Sequence, residues 1–334
     1  MEDKIYIFSK DRPNNQKSQD FYYKYIKKNY KNIENKFLQN DSILTNFLDQ
    51  NLDKKLKIVF FYMRSTNNLK YIKLIYKKYS KSKNTFYFFS WDWWNIPSKS
   101  FLNFKSKNIK FISVWPKNRN LINNLIYPLY KNSTNHNDLD TRCLYFRLHS
   151  VYDKSIVKIN NNPINKIGLA GALSDSRKLF LDSYKYRWFI KDNKYVEILK
   201  RDNGMKVNNN NFNKRLNNYL CNFTSSIHFL NVLTNKFQCI NIALLKIYEI
   251  LGSGSLLLFP LQEEDVTKDL GLINKKHYYL IDMEADLDSQ FSYLLDPKNR
   301  NEVDEIRKNG QKFGIENLSS KQLIEEFIKL IKNN

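Results

Sequence analysis

Short apolar runs alternate along this chain with longer stretches in which apolar positions recur every three or four residues, the pattern of a parallel sheet clad in helices. Lys4 to Phe8 is predicted as a first strand, followed by a polar loop (Ser9 to Asn15) and a helix around Gln19 to Tyr30. Leu56 to Met63 is a nearly unbroken apolar run, as in a strand buried on both faces, and an amphipathic helix around Leu69 to Tyr79 follows it. Thr85 to Ser90 and Ile109 to Val114 continue a Rossmann-like alternation. The pattern lapses between Leu144 and Asn162, where the domain junction is expected. It resumes with a strand over Lys166 to Ala170, a helix from about Lys178 and a strand over Tyr219 to Ser226. A loop to Ile240, a short helix, a Gly-Ser turn and a strand over Leu256 to Phe259 come next. The last helix, Ser320 to Lys332, carries Leu323, Ile324, Phe327, Ile328 and Ile331 on one side and should dock instead of trailing in solvent. The expected organisation is a Rossmann-like α/β domain over residues 1–155, a second over 163–318, and a helix over 319–334 that docks back on the body.

Composition agrees with two folded cores. The 334 residues suffice for both, and 42% hydrophobic with 15% aromatic content excludes a disordered chain. The wealth of Asn, Lys, Ile, Tyr and Phe beside only 8 Gly is the imprint of an AT-rich genome, so part of the net charge of +22 follows from codon bias. Its distribution does not. From Cys221 onward there are 13 Lys and Arg against 16 Asp and Glu, a net of −3, which leaves +25 on the first 220 residues. Lys24, Lys27, Lys28, Lys70, Lys73, Lys77 and Lys78 are interleaved with Tyr and Ile on predicted helices. They read either as a surface for an anionic acceptor or acidic membrane headgroups, or as a solvated basic face. No apolar run reaches the length of a membrane span, and the start MEDKIYIFSKDRP has no signal-peptide core, so a cytoplasmic protein is expected. The three cysteines have no motif spacing, which fits free thiols in a reducing compartment.

The segment Asn241 to Phe259 carries the most chemistry. Lys246 and Glu249, three apart, share one face of a short helix that runs into Gly252, Ser253, Gly254 and Ser255. A carboxylate there can accept hydrogen bonds from ribose hydroxyls, while an ammonium and helix N-terminal amides can face a diphosphate. The alternative is an ordinary helix–turn–strand with an exposed ion pair. In the first strand-to-helix loop of the second half, Ser174, Arg177 and Lys178 are diphosphate candidates, or else an N-cap with solvated bases. Trp91, Asp92 and Trp93 follow a predicted strand, where rings can stack on a sugar and a carboxylate can act as base; packing residues and a turn cap are the alternative. The triplets Asp138-Leu139-Asp140 and Asp286-Leu287-Asp288 lie in a polar loop and at a helix start, not straight after a strand, and the four histidines are scattered; no metal site is expected.

Lys246-x-Tyr248-Glu249 with Gly254 five residues on, then a strand, resembles the donor-site signature of GT-B glycosyltransferases, especially the CgeB-like group. The resemblance extends through the strand Lys276 to Asp282, the helix Leu287 to Pro297 and Arg307-Lys308-Asn309-Gly310-Gln311-Lys312, over roughly residues 165–330. Ser253-Gly254-Ser255 with Asn309 to Phe313 is also similar to capsule-associated xylosyltransferase-like enzymes. Arg147 to Tyr152 resembles the crossover between GT-B domains, which implies a cleft position for His149. The resemblance implies two Rossmann-like domains with a cleft between them, the first for the acceptor and the second for a UDP- or GDP-sugar, and a terminal helix returning to the first. It implies metal-independent transfer to a hydroxyl of a glycan, lipid or protein, and makes Asp11, in the first strand-to-helix loop, a further candidate base. Two readings stand beside it: a basic nucleic-acid-binding protein, and a GT-B-folded protein without activity. Against the former, the basic residues are dispersed on helices and form no recognised module.

Overall fold

The computed structural model describes residues 4–10, 25–38, 40–60, 65–89, 106–113, 143–147, 149–169, 194–199, 209–225, 229–231, 236–238 and 245–334. The chain divides into two compact units, Met1–Leu148 with Ile324–Asn334, and His149–Leu323.

The first unit is built on six strands: β1 (Ile5–Lys10), β2 (Ile33–Leu38), β3 (Lys57–Phe60), β4 (Thr85–Phe89), β5 (Ile109–Ser113) and β6 (Cys143–Tyr145). They pair in parallel in the order β2-β1-β3-β4-β5-β6. Register sets Phe8, Phe60, Phe88 and Phe111 opposite one another on four successive strands. Their rings form a ladder, with Phe60 and Phe88 stacked at 4.6 Å. Helices α1 (Asp41–Asp49) and α2 (Ser65–Tyr79) cover this face through Leu44, Leu48, Ile72 and Ile75. The opposite side chains of the same strands, Tyr87 and Phe89 among them, are also buried. The Phe89 ring meets Phe327 of the terminal helix at 6.3 Å. Near-continuous apolar runs are required because both sheet faces are covered. The edge strand β2 (IENKFL) was not anticipated: an edge needs less apolar surface, and charged residues there discourage pairing with another chain.

The second unit holds β7 (Ile164–Leu169), β8 (Val196–Ile198), β9 (Tyr219–Phe223), a small antiparallel pair β10 (Phe229–Asn231) and β11 (Lys236–Gln238), then β12 (Leu256–Pro260) and β13 (Tyr279–Ile281). Five of these form a parallel sheet in the order β13-β12-β9-β7-β8. Alternate residues of β12 point to opposite faces. Leu256 and Leu258 join a core with α6 (Leu287–Leu295) and α7 (Arg300–Asn317). Leu257 and Phe259 join one with α3 (Asn209–Asn217), α4 (Leu245–Ser253) and α5 (Glu264–Asp269).

The last helix, α8 (Ser320–Asn333), belongs to the first unit from Ile324 onward. Its last turn is capped by a buried lysine of β3: Lys57 Nζ donates to the carbonyls of Ile331 (3.0 Å) and Lys332 (2.6 Å). A cation there also meets the negative end of the helix dipole. Arg147 holds Glu326 by a two-pronged bond, Nε to Oε2 at 2.8 Å and Nη2 to Oε1 at 3.0 Å.

Candidate functional site

Every residue of α4 from Lys246 to Ser253 is buried, so its two charges are held inside the unit. Lys246 Nζ and Glu249 Oε2 form an ion pair across one helical turn, and the residues are only 9% and 8% exposed. The solvated pair that the spacing alone allowed is therefore not what the fold makes. Lys246 Nζ also sits 3.9 Å from the centroid of the Phe212 ring on α3, which helps to offset desolvation of the ammonium. The hydrogen bond of the pair runs through Oε2, so Oε1 is the oxygen of Glu249 with which a ligand hydroxyl would be met.

His149 adds an imidazole to this cluster. Its ring meets Tyr248 edge-on at 6.0 Å. Part of its surface touches solvent, yet burial and then the charge of Lys246 push its pKa down to about 4. At neutral pH the cluster thus combines a neutral imidazole, an ammonium, a carboxylate and a phenol on a hydrophobic backing. Such a set can accept from a pair of vicinal hydroxyls and attract an anion.

The turn after α4 is fastened from two sides. Gly252 O accepts from Val157 N at 3.1 Å and from Gln311 Nε2 at 2.9 Å. Ser253 Oγ donates to Ile250 O at 2.7 Å. Gly254 has φ 73°, the left-handed conformation that ends many helices, and its carbonyl accepts from Arg307 Nε at 3.0 Å. Arg307, Gly310, Gln311 and Gly314 are spaced along one face of α7. Arg307, 1% exposed, also reaches Asp304 and the carbonyl of Asn160. A Cβ on Gly310 would stand 2.2 Å from His277 O, so only glycine lets α7 approach that closely. The Gly-Ser turn and the Arg307 to Lys312 segment, which the sequence marked by resemblance, thus act together to lock α4 in place.

Asp286 caps α6 by accepting from Asp288 N at 3.1 Å, as acidity at a helix start should. Among the described residues no group of three or more His, Cys, Asp or Glu could hold a metal ion. Cys221 is buried and its thiol is pushed up to about 12 by burial. No helix among the described residues is long and apolar enough to cross a membrane. Asp11, Trp91, Asp92, Trp93, Ser174, Arg177 and Lys178 lie outside the described residues. Phe212 was missed at the sequence level because α3 begins in an Asn-rich stretch; Phe212 and Leu216, four apart, were its only apolar signal.

No family model and no curated protein matches this chain. Solved structures do match over nearly its whole length. Anabaena HepE in complex with UDP aligns with TM-score 0.53 and 6% identity, over 99% of this chain and 100% of that one. HepE with UDP and glucose gives TM-score 0.54 and 7% identity, over 98% and 100%. A glycosyltransferase from Rickettsia africae ESF-5 gives 0.53 and 13%, over 99% and 98%. At such identities the likeness establishes the fold, and the chain is an α/β protein of GT-B type, two Rossmann-like units each built on a parallel sheet.

Proposed function

We propose that this protein is a glycosyltransferase that moves a sugar from a nucleotide-sugar donor to an acceptor hydroxyl of a glycan, lipid or protein. The observation that carries the reading is the buried Lys246–Glu249 pair beside His149, on the helix that precedes the Gly-Ser turn of a GT-B second unit. Whole-length likeness to a protein solved with UDP and with UDP and glucose supports it, and UDP is the nucleotide to try first, with GDP next. In this reading the second unit takes the donor. Glu249 accepts from the ribose, while Lys246, with Ser174, Arg177 and Lys178, stabilises the departing diphosphate. Gly252, Ser253 and Gly254 hold α4 in position. The first unit takes the acceptor, with Trp91 and Trp93 as stacking surfaces and Asp92, Asp11 or His149 as the group that receives the hydroxyl proton. Positioning and charge stabilisation carry the catalysis without a metal.

Thermal-shift titration with UDP, GDP, TDP and CMP and their sugars tests the proposal. Stabilisation by one nucleotide, with slow hydrolysis of its sugar, is the expected result. Stabilisation by nucleotide without any donor turnover across acceptor classes would instead favour a GT-B fold used for binding alone.

A further inference from the structure

In the first unit the described turns that lead into β2, β3, β4 and β5 lie at one edge of the parallel sheet, where the strands begin. Three of these connections are tied together by two asparagines. Asn84 accepts from Leu56 N at 3.2 Å and donates to Asn51 O at 3.2 Å. Asn108 Nδ2 donates to Tyr79 O, Ser82 O and Asn84 O at 3.3, 3.4 and 3.1 Å. Ile5 N, bonded to Asn32 O at 3.2 Å, brings in the turn before β2. The turns so gathered expose Lys31, Lys54, Lys55, Lys81, Lys83 and Lys107, and α2 ends at the same edge with exposed Lys77 and Lys78. Among the described residues none of these lysines is in an ion pair. Among the described acids there, Asp49 accepts from the Tyr79 hydroxyl at 2.8 Å and Glu34 pairs with Lys4 at 2.5 Å, which leaves Asp53. Leu52, 38% exposed, stands between them.

We propose that this strand-start edge is a docking surface for a bilayer rich in anionic headgroups. Ligands of Rossmann-like units sit at the opposite edge, where the strands end, so a chain held this way keeps that edge clear. The inference is independent of the transferase reading. The patch is made of hydrated point charges with an apolar residue among them; among the described residues it holds no guanidinium fork, and of its tyrosines Tyr79 is buried and Tyr30 partly buried, so no ring stands fully exposed. Those are the groups that phosphodiester and base recognition use most, so the membrane is favoured over nucleic acid.

Co-sedimentation of the full chain with vesicles of 70% phosphatidylcholine and 30% phosphatidylserine tests this. Binding at 50 mM salt that is released by 300 mM is expected, with none to pure phosphatidylcholine. Reversing Lys54, Lys55, Lys81 and Lys83 to Glu should lower partitioning more than ~100-fold, from roughly fivefold per lysine. Reversing Lys276, Lys298, Lys308 and Lys312, equally exposed but in the second unit, changes net charge identically and should cost less than about tenfold. Circular dichroism and a Lys→Gln version of the first set keep a folding defect from being mistaken for lost binding. Equal losses from both sets would overturn the proposal, as would wild type that ignores the anionic vesicles at 50 mM salt. So would wild type that prefers single-stranded RNA or duplex DNA to vesicles at the same salt.

Discussion

Removing the Glu249 carboxylate separates its place in the fold from its place in binding. In Glu249→Ala the Lys246 ammonium stays buried and loses its carboxylate while keeping its other contacts, the Phe212 ring at 3.9 Å among them. Breaking a fully buried pair by deleting one partner costs ~3–5 kcal/mol. The ring returns about 1 kcal/mol of that, so a loss of roughly 2–4 kcal/mol in unfolding free energy is expected. A carboxylate exposed on a helix would have given almost none. Lys246→Met with Glu249→Leu removes both charges at similar volume and should restore stability to within about 1.5 kcal/mol of wild type. Nucleotide affinity should behave differently. If Oε1 accepts from the ribose, both variants lose a charge-assisted bond of about 1.5–3 kcal/mol, a rise in Kd of roughly 10- to 150-fold. Urea titration gives the stabilities, and calorimetry with the nucleotide chosen by thermal shift gives the affinities. A double variant that is stable and still binds as tightly as wild type would reduce the pair to a packing feature. A single variant unfolding at the wild-type urea midpoint would show that the pair is not held as described.

Three further outcomes are expected. His149 has a folded pKa of about 4, below the ordinary 6.5, so the unfolded chain binds its proton more readily and stability falls as pH drops from 6.5 toward 4; His149→Gln should flatten that slope between pH 6.5 and 5, and parallel melting curves would refute the assignment. Gly310→Ala, which forces a Cβ to 2.2 Å from His277 O, should cost more than about 2 kcal/mol, whereas Gly314→Ala, with its nearest contact at 3.2 Å, should cost visibly less in the same urea series. Because Asp286 is engaged in capping α6, nucleotide binding and turnover should survive EDTA; loss on chelation with recovery in manganese would show that a ligand set has been missed.

What the sequence revealed and what it hid follow from one physical distinction. Parallel strands buried on both faces must be apolar along their length, and Lys57–Phe60, Thr85–Phe89 and Leu256–Pro260 announce themselves in that way. Edge strand β2 carries Glu34, Asn35 and Lys36 because one of its sides faces no strand, and α3 carries an Asn-rich first turn; neither pattern differs much from a loop. The helix bearing Lys246 and Glu249 was legible, but its burial was not. Spacing shows that two charges can meet, whereas whether they meet in water or in protein depends on residues distant in sequence. Here those residues include Phe212, 34 positions before Lys246, whose ring lies 3.9 Å from the ammonium, and His149, whose imidazole feels its charge. The segment Arg307 to Lys312 is similar to a family motif, yet its side chains clamp the turn below α4. A run of residues that reads from sequence as part of a site can thus owe its pattern to how rigidly it holds the neighbouring turn, and it then reports the scaffold before it reports any ligand.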